Sequence, residues 1–281
     1  MGEWIGEENI RIGIMFKVYA KKILYESSSK FFEKIIVGDS EAFGKFLVLK
    51  ENSDSTFQVA EKWDIYSEML VHVPLSAHPS PKHILIVGGG DGSTLREVVK
   101  HDEVEKIILV DIDEKIVEAG KKYLKIDDGA FSDDRLVIIN EDALKFLKHY
   151  DGKSFDIVIG DYTDPYIETP ASTLIRKEFY RLLKDNLSSD GIIALQAGSP
   201  ILQQDIMLQV YNGVKKLFKH TYIYTSPIPY YPSGYWSYVI ASDQYDPRKP
   251  VKKIKNTFYY NEEIHQAAFI LPNFIKRMIQ R

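Results

Sequence analysis

From residue 83 onward, short continuous apolar runs alternate with segments whose apolar residues recur at helical spacing. The runs 84–87, 107–110, 136–139, 155–159 and 191–195 predict strands, and the first has the unbroken apolar character of a parallel strand buried on both faces. Segments 93–101, 114–124, 143–149, 177–187 and 203–218 predict helices, and 222–225 with 235–241 predict a closing pair of strands. Such alternation predicts an α/β doubly wound sheet with helices on both faces and a ligand at the carboxyl ends of its strands. Upstream the period shortens. Runs 12–20, 32–37 and 45–49, separated by turn residues such as Asp39-Ser40 and Ala42-Phe43-Gly44, predict a small β-rich unit. Asp64 then stands where a helix N-cap is expected, with Met69, Leu70 and Val73 at helical spacing through about Ala77, and Pro79-Ser80-Pro81 ends that helix. The expected division is therefore an N-terminal β-strand domain over 1–62 and a donor-binding and catalytic domain over 63–281, with the tail from Phe258 packed on the body.

Composition narrows the function. In 281 residues, 44% are apolar and 12% aromatic, enough for a sizeable core. The formal net charge is −4, and the one basic cluster is Lys252-Lys253 with Lys255, so a nucleic-acid partner is not expected. The absence of cysteine excludes disulfides, thiolate metal sites and a cysteine nucleophile. The apolar runs fall short of a membrane span, and no N-terminal stretch pairs a basic segment with an apolar run, so no membrane is expected and the cytoplasm is the expected location.

The chemistry begins at Gly88-Gly89-Gly90-Asp91-Gly92-Ser93, between a predicted strand and a predicted helix. Glycines there let the backbone turn tightly and approach a ligand. Ser93 holds the third glycine position of G-x-G-x-x-G, and Asp91 would repel a pyrophosphate but attract a sulfonium or an amine. Asp111, about 20 residues further on, is placed to hydrogen-bond ribose hydroxyls, with helix capping as its competing role. Asp142 is placed to accept from an adenine amino group, and capping competes there too. At the end of the fourth predicted strand, Asp161 and Asp164 in Gly160-Asp161-Tyr162-Thr163-Asp164-Pro165 form an anionic trap for an amine, with an Asp-Pro turn as the alternative for Asp164. No histidine or third acid accompanies them at ligand spacing, so no metal is expected. His72, His78 and His101 show no paired ligand pattern and read as structural. Tyr222 and Tyr224 share a strand face and read as core, whereas Tyr230 and Tyr231, with Trp236, are candidates to line a cation pocket.

Taken together, these residues resemble the spermidine synthase family, the polyamine aminopropyltransferases. The resemblance runs from about Phe31 to the C-terminus through Gln58, Tyr66-Ser67-Glu68-Met69, His78-Pro79, the glycine loop with Leu95-Arg96-Glu97-Val98, residues 110–114, 161–165, Gln196-Ala197-Gly198-Ser199-Pro200 and Pro229-Tyr230-Tyr231-Pro232-Ser233-Gly234. It implies a Rossmann-like sheet of the class I methyltransferase type, with decarboxylated S-adenosylmethionine as co-substrate and methylthioadenosine as product. By the same resemblance Asp91 would hold the donor's aminopropyl ammonium, Asp111 the ribose, and Asp142 with Ala143 the adenine, while Gln58 would lie near the donor. Asp161 would be the base, and Tyr66, Asp164 and Tyr231 would position the acceptor amine. The family's homodimers and homotetramers set the expected assembly. Chemistry agrees with these assignments: a primary amine, with a pKa of about 10, arrives protonated and must lose a proton before its nitrogen attacks. The sulfonium already leaves readily.

Four features depart from the family pattern. Ser67 replaces the usual His or Gln after the tyrosine, and Glu33 stands where a donor-contacting Gln is common. Tyr162 replaces a small residue between the paired acids, and the loop 166–173 lacks the usual Gly-Pro pair and is longer. Glu33 is thereby a donor-side candidate, and Ser67 and Tyr162 are acceptor-side candidates. Putrescine is the expected acceptor, with agmatine, cadaverine and longer polyamines open. An S-adenosylmethionine-dependent methyltransferase and a non-catalytic small-molecule sensor are the competing functions on this fold.

Overall fold

The computed structural model describes residues 2–10, 12–164 and 170–280. Strands β1 (Glu3–Asn9), β2 (Ile14–Ser27), β3 (Lys34–Ser40), β4 (Gly44–Glu51) and β5 (Asp54–Ala60) pair antiparallel in chain order, and β5 returns to β1 to close a barrel. The expected strands are parts of β2, β3 and β4. β1 and β5 lack an apolar run, because Glu3, Glu7 and Glu8 crowd one, and Asp54, Ser55, Thr56 and Gln58 the other. β4 is buried on both faces. Phe46 and Val48 fill the barrel with Val18 and Phe57, while Leu47 and Leu49 pack outward against Ile116, Ala119 and Leu124. That outward face seats the barrel beside the main sheet.

Helix α1 (Ile65–Ala77) begins as expected, with the Asp64 side chain accepting from the Ser67 N–H at 3.1 Å. It is buried along its whole length and tolerates Pro74 near its end. Then come β6 (His83–Gly88), α2 (Ser93–Val99), β7 (Lys106–Asp111), α3 (Glu114–Ala119), β8 (Leu136–Asn140), α4 (Ala143–His149), β9 (Phe155–Asp161), α5 (Lys177–Asp185), β10 (Leu187–Gln196), α6 (Gln204–Lys215), β11 (His220–Pro227), β12 (Tyr235–Ser242), α7 (Glu262–Ala268) and α8 (Asn273–Ile279). Two departures from the expected boundaries are the largest from β6 onward. The helix expected over 114–124 is α-helical only to Ala119 and widens into a π turn over Gly120–Leu124. A Cβ on Gly120 would sit 2.8 Å from the carbonyl oxygens of Gly90 and Asp91, so the bare glycine lets the helix press against the glycine loop. Leu187, expected to end a helix, starts β10 instead.

The seven-stranded sheet runs β11-β12-β10-β9-β6-β7-β8, parallel from β10 to β8 and antiparallel at the β11 and β12 edge. Alternate strand residues fill two cores. Ile84, Ile86 and Ile157 face α1 and α2, while Leu85, Val87 and Val158 face α4, α5 and α6. The chain winds from β6 outward to β8, then crosses back to place β9 on the other side of β6. The crevice of a doubly wound sheet opens where this reversal occurs, beyond the carboxyl ends of β6 and β9.

Candidate active site

The site starts from backbone register. Gly88 ends β6 opposite Asp161 at the end of β9, and the Gly89 N–H donates to the Asp161 carbonyl at 2.8 Å. Gly88 has φ +83°, and a Cβ there would lie 2.0 Å from that carbonyl, so only glycine fits. One residue on, the Gly90 N–H donates to Asp111 Oδ2 at 2.9 Å, tying the loop to the end of β7. Asp91 follows, its Oδ1 accepting from the Ser93 N–H at 2.8 Å and the Ser93 hydroxyl at 2.6 Å. The sequence pattern thus becomes a turn that aligns three carboxylates, Asp91, Asp111 and Asp161, along the sheet's carboxyl edge.

They line a cleft between the barrel and the sheet. Its lining carries Glu7, Asp91, Asp111, Glu141, Asp142, Asp161 and Asp164, and among the described residues no Lys, Arg or His. A carboxyl withdrawn from water holds its proton more tightly. Burial, then the charge of Asp91, pushes Asp161 up to about 7. Burial lifts Asp164 to about 6 against the pull of the Gln203 and Gln196 amides. Asp111 also rises to about 6 through burial, and burial with the nearby Asp164 takes Glu7 to about 8. Asp91 is raised by burial as well. A cation bound among these groups would favour their charged forms.

The Tyr66 hydroxyl donates to Asp161 Oδ1 at 2.9 Å, and the Thr94 side chain also favours the charged form of this buried carboxylate. Tyr231 stands edge-on to Tyr66, with ring centroids 5.7 Å apart, and donates its hydroxyl to the Gln58 carbonyl at 2.7 Å. Trp236 lies 4.4 Å from the Tyr231 ring and completes that wall, its indole N–H buried without a partner. Asp113, not Asp111, caps α3 by accepting from the Lys115 N–H, which leaves Asp111 turned to the cleft. Asp142 caps α4, accepting from the Lys145 N–H, and it also lines the cleft with Ala143.

Gln58, Tyr66, Asp91, Asp111, Asp142, Ala143, Asp161, Tyr162, Asp164 and Tyr231 are thus brought together in one cleft. Glu33 and Ser67 are not. Glu33 is exposed in a bend just before β3, and its neighbour Phe32 faces the cleft instead. Ser67 is fully buried on α1, one residue and some 100° round the helix from Tyr66. Tyr230 also misses the cleft: it is buried against Phe57 and donates to Asp64 at 3.1 Å. Tyr162 touches the cleft, but its ring packs edge-on to Phe179 in the core and its hydroxyl has no partner there. Of the loop 166–173, residues 166–169 lie outside the described residues, as does Pro165.

Glu7 is the residue that sequence reading missed. It sits on β1, a strand with no apolar signature, and the next residue is another glutamate. The histidines hold a second surprise. His72 lies 3.0 Å from His101 and 2.9 Å from Glu97, in a buried network, with Glu68 close enough to complete a metal-like trio. Those carboxylates already accept protein donors: Glu68 from the backbone N–H groups of Phe258, Tyr259 and Tyr260, and Glu97 from His72, Arg96 and Lys100. The network pins the C-terminal tail to α1 and α2.

Residues 63–253 match the family model for the spermine/spermidine synthase domain. The polyamine aminopropyltransferase of Caldicellulosiruptor saccharolyticus is 39% identical over 262 residues, covering 92% of each chain. That of Methanocaldococcus jannaschii is 38% identical over 278 residues, covering 95% of this chain and 92% of its own. Among solved structures, a spermidine synthase in complex with the transition state analogue AdoDATO superposes with a TM-score of 0.88 at 34% identity, covering 100% of this chain and 95% of that one. The spermidine synthase of Thermotoga maritima superposes with a TM-score of 0.86 at 34% identity, covering 100% and 94%.

Proposed function

The chain belongs to the spermine/spermidine synthase family, and from that premise we propose that its cleft is where an aminopropyl group passes from decarboxylated S-adenosylmethionine to an amine. The observation that carries this reading is the lining: seven acids and, among the described residues, no cationic side chain. Both co-substrates are cations, the donor through its sulfonium and ammonium and the acceptor through its amines. An intact S-adenosylmethionine would add a carboxylate beside Asp91, which disfavours the methyltransferase alternative.

In this reading Asp111 holds the ribose, Asp142 and Ala143 face the adenine, and Gln58 borders the donor. Asp91 receives the aminopropyl ammonium. The acceptor nitrogen gives its proton to Asp161, whose raised affinity for a proton suits it to work near neutral pH. The nitrogen lone pair then forms a bond to the methylene carbon beside sulfur. The C–S bond breaks, and its electron pair neutralises the sulfonium, releasing methylthioadenosine. Tyr66 holds Asp161 in place, and Asp164, Tyr231 and Glu7 fix the rest of the acceptor, so that attack is in line.

We take putrescine as the acceptor, with spermidine as product. We also place the protein in the cytoplasm as a homodimer or homotetramer. The exposed Trp4 and Tyr19, edge to face on the barrel's outer surface, support such an assembly. No helix among the described residues is long and apolar enough to cross a membrane. The experiment is a panel of diamines, agmatine and triamines incubated with decarboxylated or intact donor, followed by methylthioadenosine release. Release from the decarboxylated donor with an amine is expected. Its absence with every amine sinks the reading.

A further inference from the structure

Behind the Tyr66 wall lies one carboxylate that the proposed chemistry does not use. Asp64 is buried, its side chain only 4% exposed, and it does more than cap α1. Its Oδ1 accepts from the Ser67 N–H at 3.1 Å and from the Tyr230 hydroxyl at 3.1 Å. Its Oδ2 accepts from Arg96 Nη2 at 2.8 Å. These donors come from three separate segments. Ser67 belongs to the turn of α1 that carries Tyr66. Arg96 lies on α2, and its backbone N–H donates to the carbonyl of Gly92, the residue after Asp91, at 2.9 Å. Tyr230 precedes Tyr231 in the turn between β11 and β12. A helix cap needs only the first of these bonds.

We propose that Asp64 is a positioning residue for the reaction: by joining these three segments it holds the Tyr66 hydroxyl on Asp161 and the Tyr231 ring at the acceptor end. Tyr66 and Tyr231 reach the cleft from elements far apart in the chain, and Asp64 bonds to both their segments and to the helix of the glycine loop. Its charge also acts inside the cleft. It adds to the negative field that Asp161 feels from Asp91, while Tyr66 bonds Asp161 from α1, and Tyr231 in the β11–β12 turn and Tyr238 on β12 lie within electrostatic reach of it. Arg96, itself bonded to Glu97 at 2.7 Å and to the Ile126 carbonyl at 2.9 Å, balances that charge from the far side.

This inference rests on the reading of Asp161 as base, so the test runs Asp161→Asn beside two other variants. Asp64→Ser keeps a capping hydroxyl and loses both ties and the charge. Tyr230→Phe keeps the charge and the ring against Phe57 and loses only the tie to the turn. For each, kcat, the amine KM, the pH profile, the melting temperature and calorimetric affinity for methylthioadenosine are measured. Asp64→Ser is expected to lower kcat by about 10-fold or more, as misplacement of reacting groups does. Its acidic limb should move to lower pH, because a negative charge has left Asp161 while Arg96 remains. Tyr230→Phe should raise the amine KM with the limb unmoved. Methylthioadenosine affinity should stay within about 2-fold in both, as distant polar changes leave an intact pocket alone. Wild-type kcat, KM and limb in both variants would reduce Asp64 to a helix cap. So would losses that follow the melting temperature with the limb unmoved. If Asp64→Ser does not fold, Tyr230→Phe decides through its KM. Undiminished turnover by Asp161→Asn strikes the base reading instead and is seen separately.

Discussion

The Tyr66 hydroxyl and the Asp161 carboxylate, 95 positions apart in the chain, meet at 2.9 Å across the mouth of the sheet. One comes from the first turn of α1 and the other from the end of β9, so the pair exists only in the folded protein. A phenol donating to a carboxylate favours its ionised form, which opposes the upward push of burial and of Asp91.

Two substitutions separate the members of this pair. Asp161→Asn keeps size and hydrogen bonding but takes no proton at neutral pH, so turnover should fall by about 10²–10⁴-fold. The deficit should narrow at high pH, where more of the amine arrives neutral. Tyr66→Phe removes a donor from the charged form of Asp161, so its proton affinity rises and the acidic limb of the rate profile should move to higher pH. Rate profiles of both variants from pH 6 to 10 check this, and a limb unmoved by Tyr66→Phe contradicts the coupling.

In the proposed reading, donor choice depends on Asp91. Decarboxylated donor should bind much more tightly than intact S-adenosylmethionine, and Asp91→Asn should weaken the decarboxylated form selectively. Calorimetry with both donors reads the difference. Equal affinity in the unaltered protein would remove the electrostatic reason for preferring aminopropyl over methyl transfer.

Glu7 and Asp161 retain protons to about 8 and about 7 in the empty cleft. A bound ammonium favours their charged forms and lowers both values, so at pH 7 amine binding should release protons to the buffer. In the methylthioadenosine complex, amine binding enthalpies measured in two buffers of different ionisation enthalpy should diverge accordingly. Glu7→Gln should shrink the divergence and weaken long amines more than short ones. The same sign governs stability. Carboxyls with raised folded-state pKa values stabilise below their unfolded value near 4, and that contribution fades as pH climbs through about 6 to 8. Polyamine should therefore raise the melting temperature more at pH 8 than at pH 5.

Tyr162 belongs to the core more than to the cleft. Tyr162→Phe should leave the ranking of amines by length unchanged, since the hydroxyl it removes touches no substrate side. Tyr162→Ser opens a void beside Phe179 and should cost about 3–5 kcal/mol of stability, as truncation of a buried aromatic does. A changed ranking in the Phe variant would return Tyr162 to the acceptor site.

Wherever a strand is buried on both faces, its sequence announces it, as 84–87 and 107–110 did for β6 and β7. The Asp64 cap and the glycine loop were equally visible, because each depends on residues adjacent in the chain. β1 and β5 were not, since barrel strands that turn polar side chains to a cleft read as surface. Glu7 was hidden for that reason, and its role as a wall of the cleft follows only from barrel closure. Glu33 and Ser67 were misplaced for a related one. Both lie next to a residue that does face the cleft, Phe32 and Tyr66, and a shift of one position turns a side chain away. The pairing of His72 with His101 joins α1 to the end of α2, and no local spacing encodes it.

The return crossover that sets β9 beside β6 also fixes the order in which the molecule can be completed. A chain emerging from the ribosome presents the barrel strands, Tyr66, Asp91 and Asp111 while β6 still has one open edge. That edge closes only when β9 arrives from the far side of β7 and β8, bringing Asp161 and Asp164 with it. Long-range parallel pairing of this kind is slow to form and leaves exposed strand edges in the interval. A chain cut short of β9 therefore keeps the open edge of β6 and lacks Asp161 and Asp164.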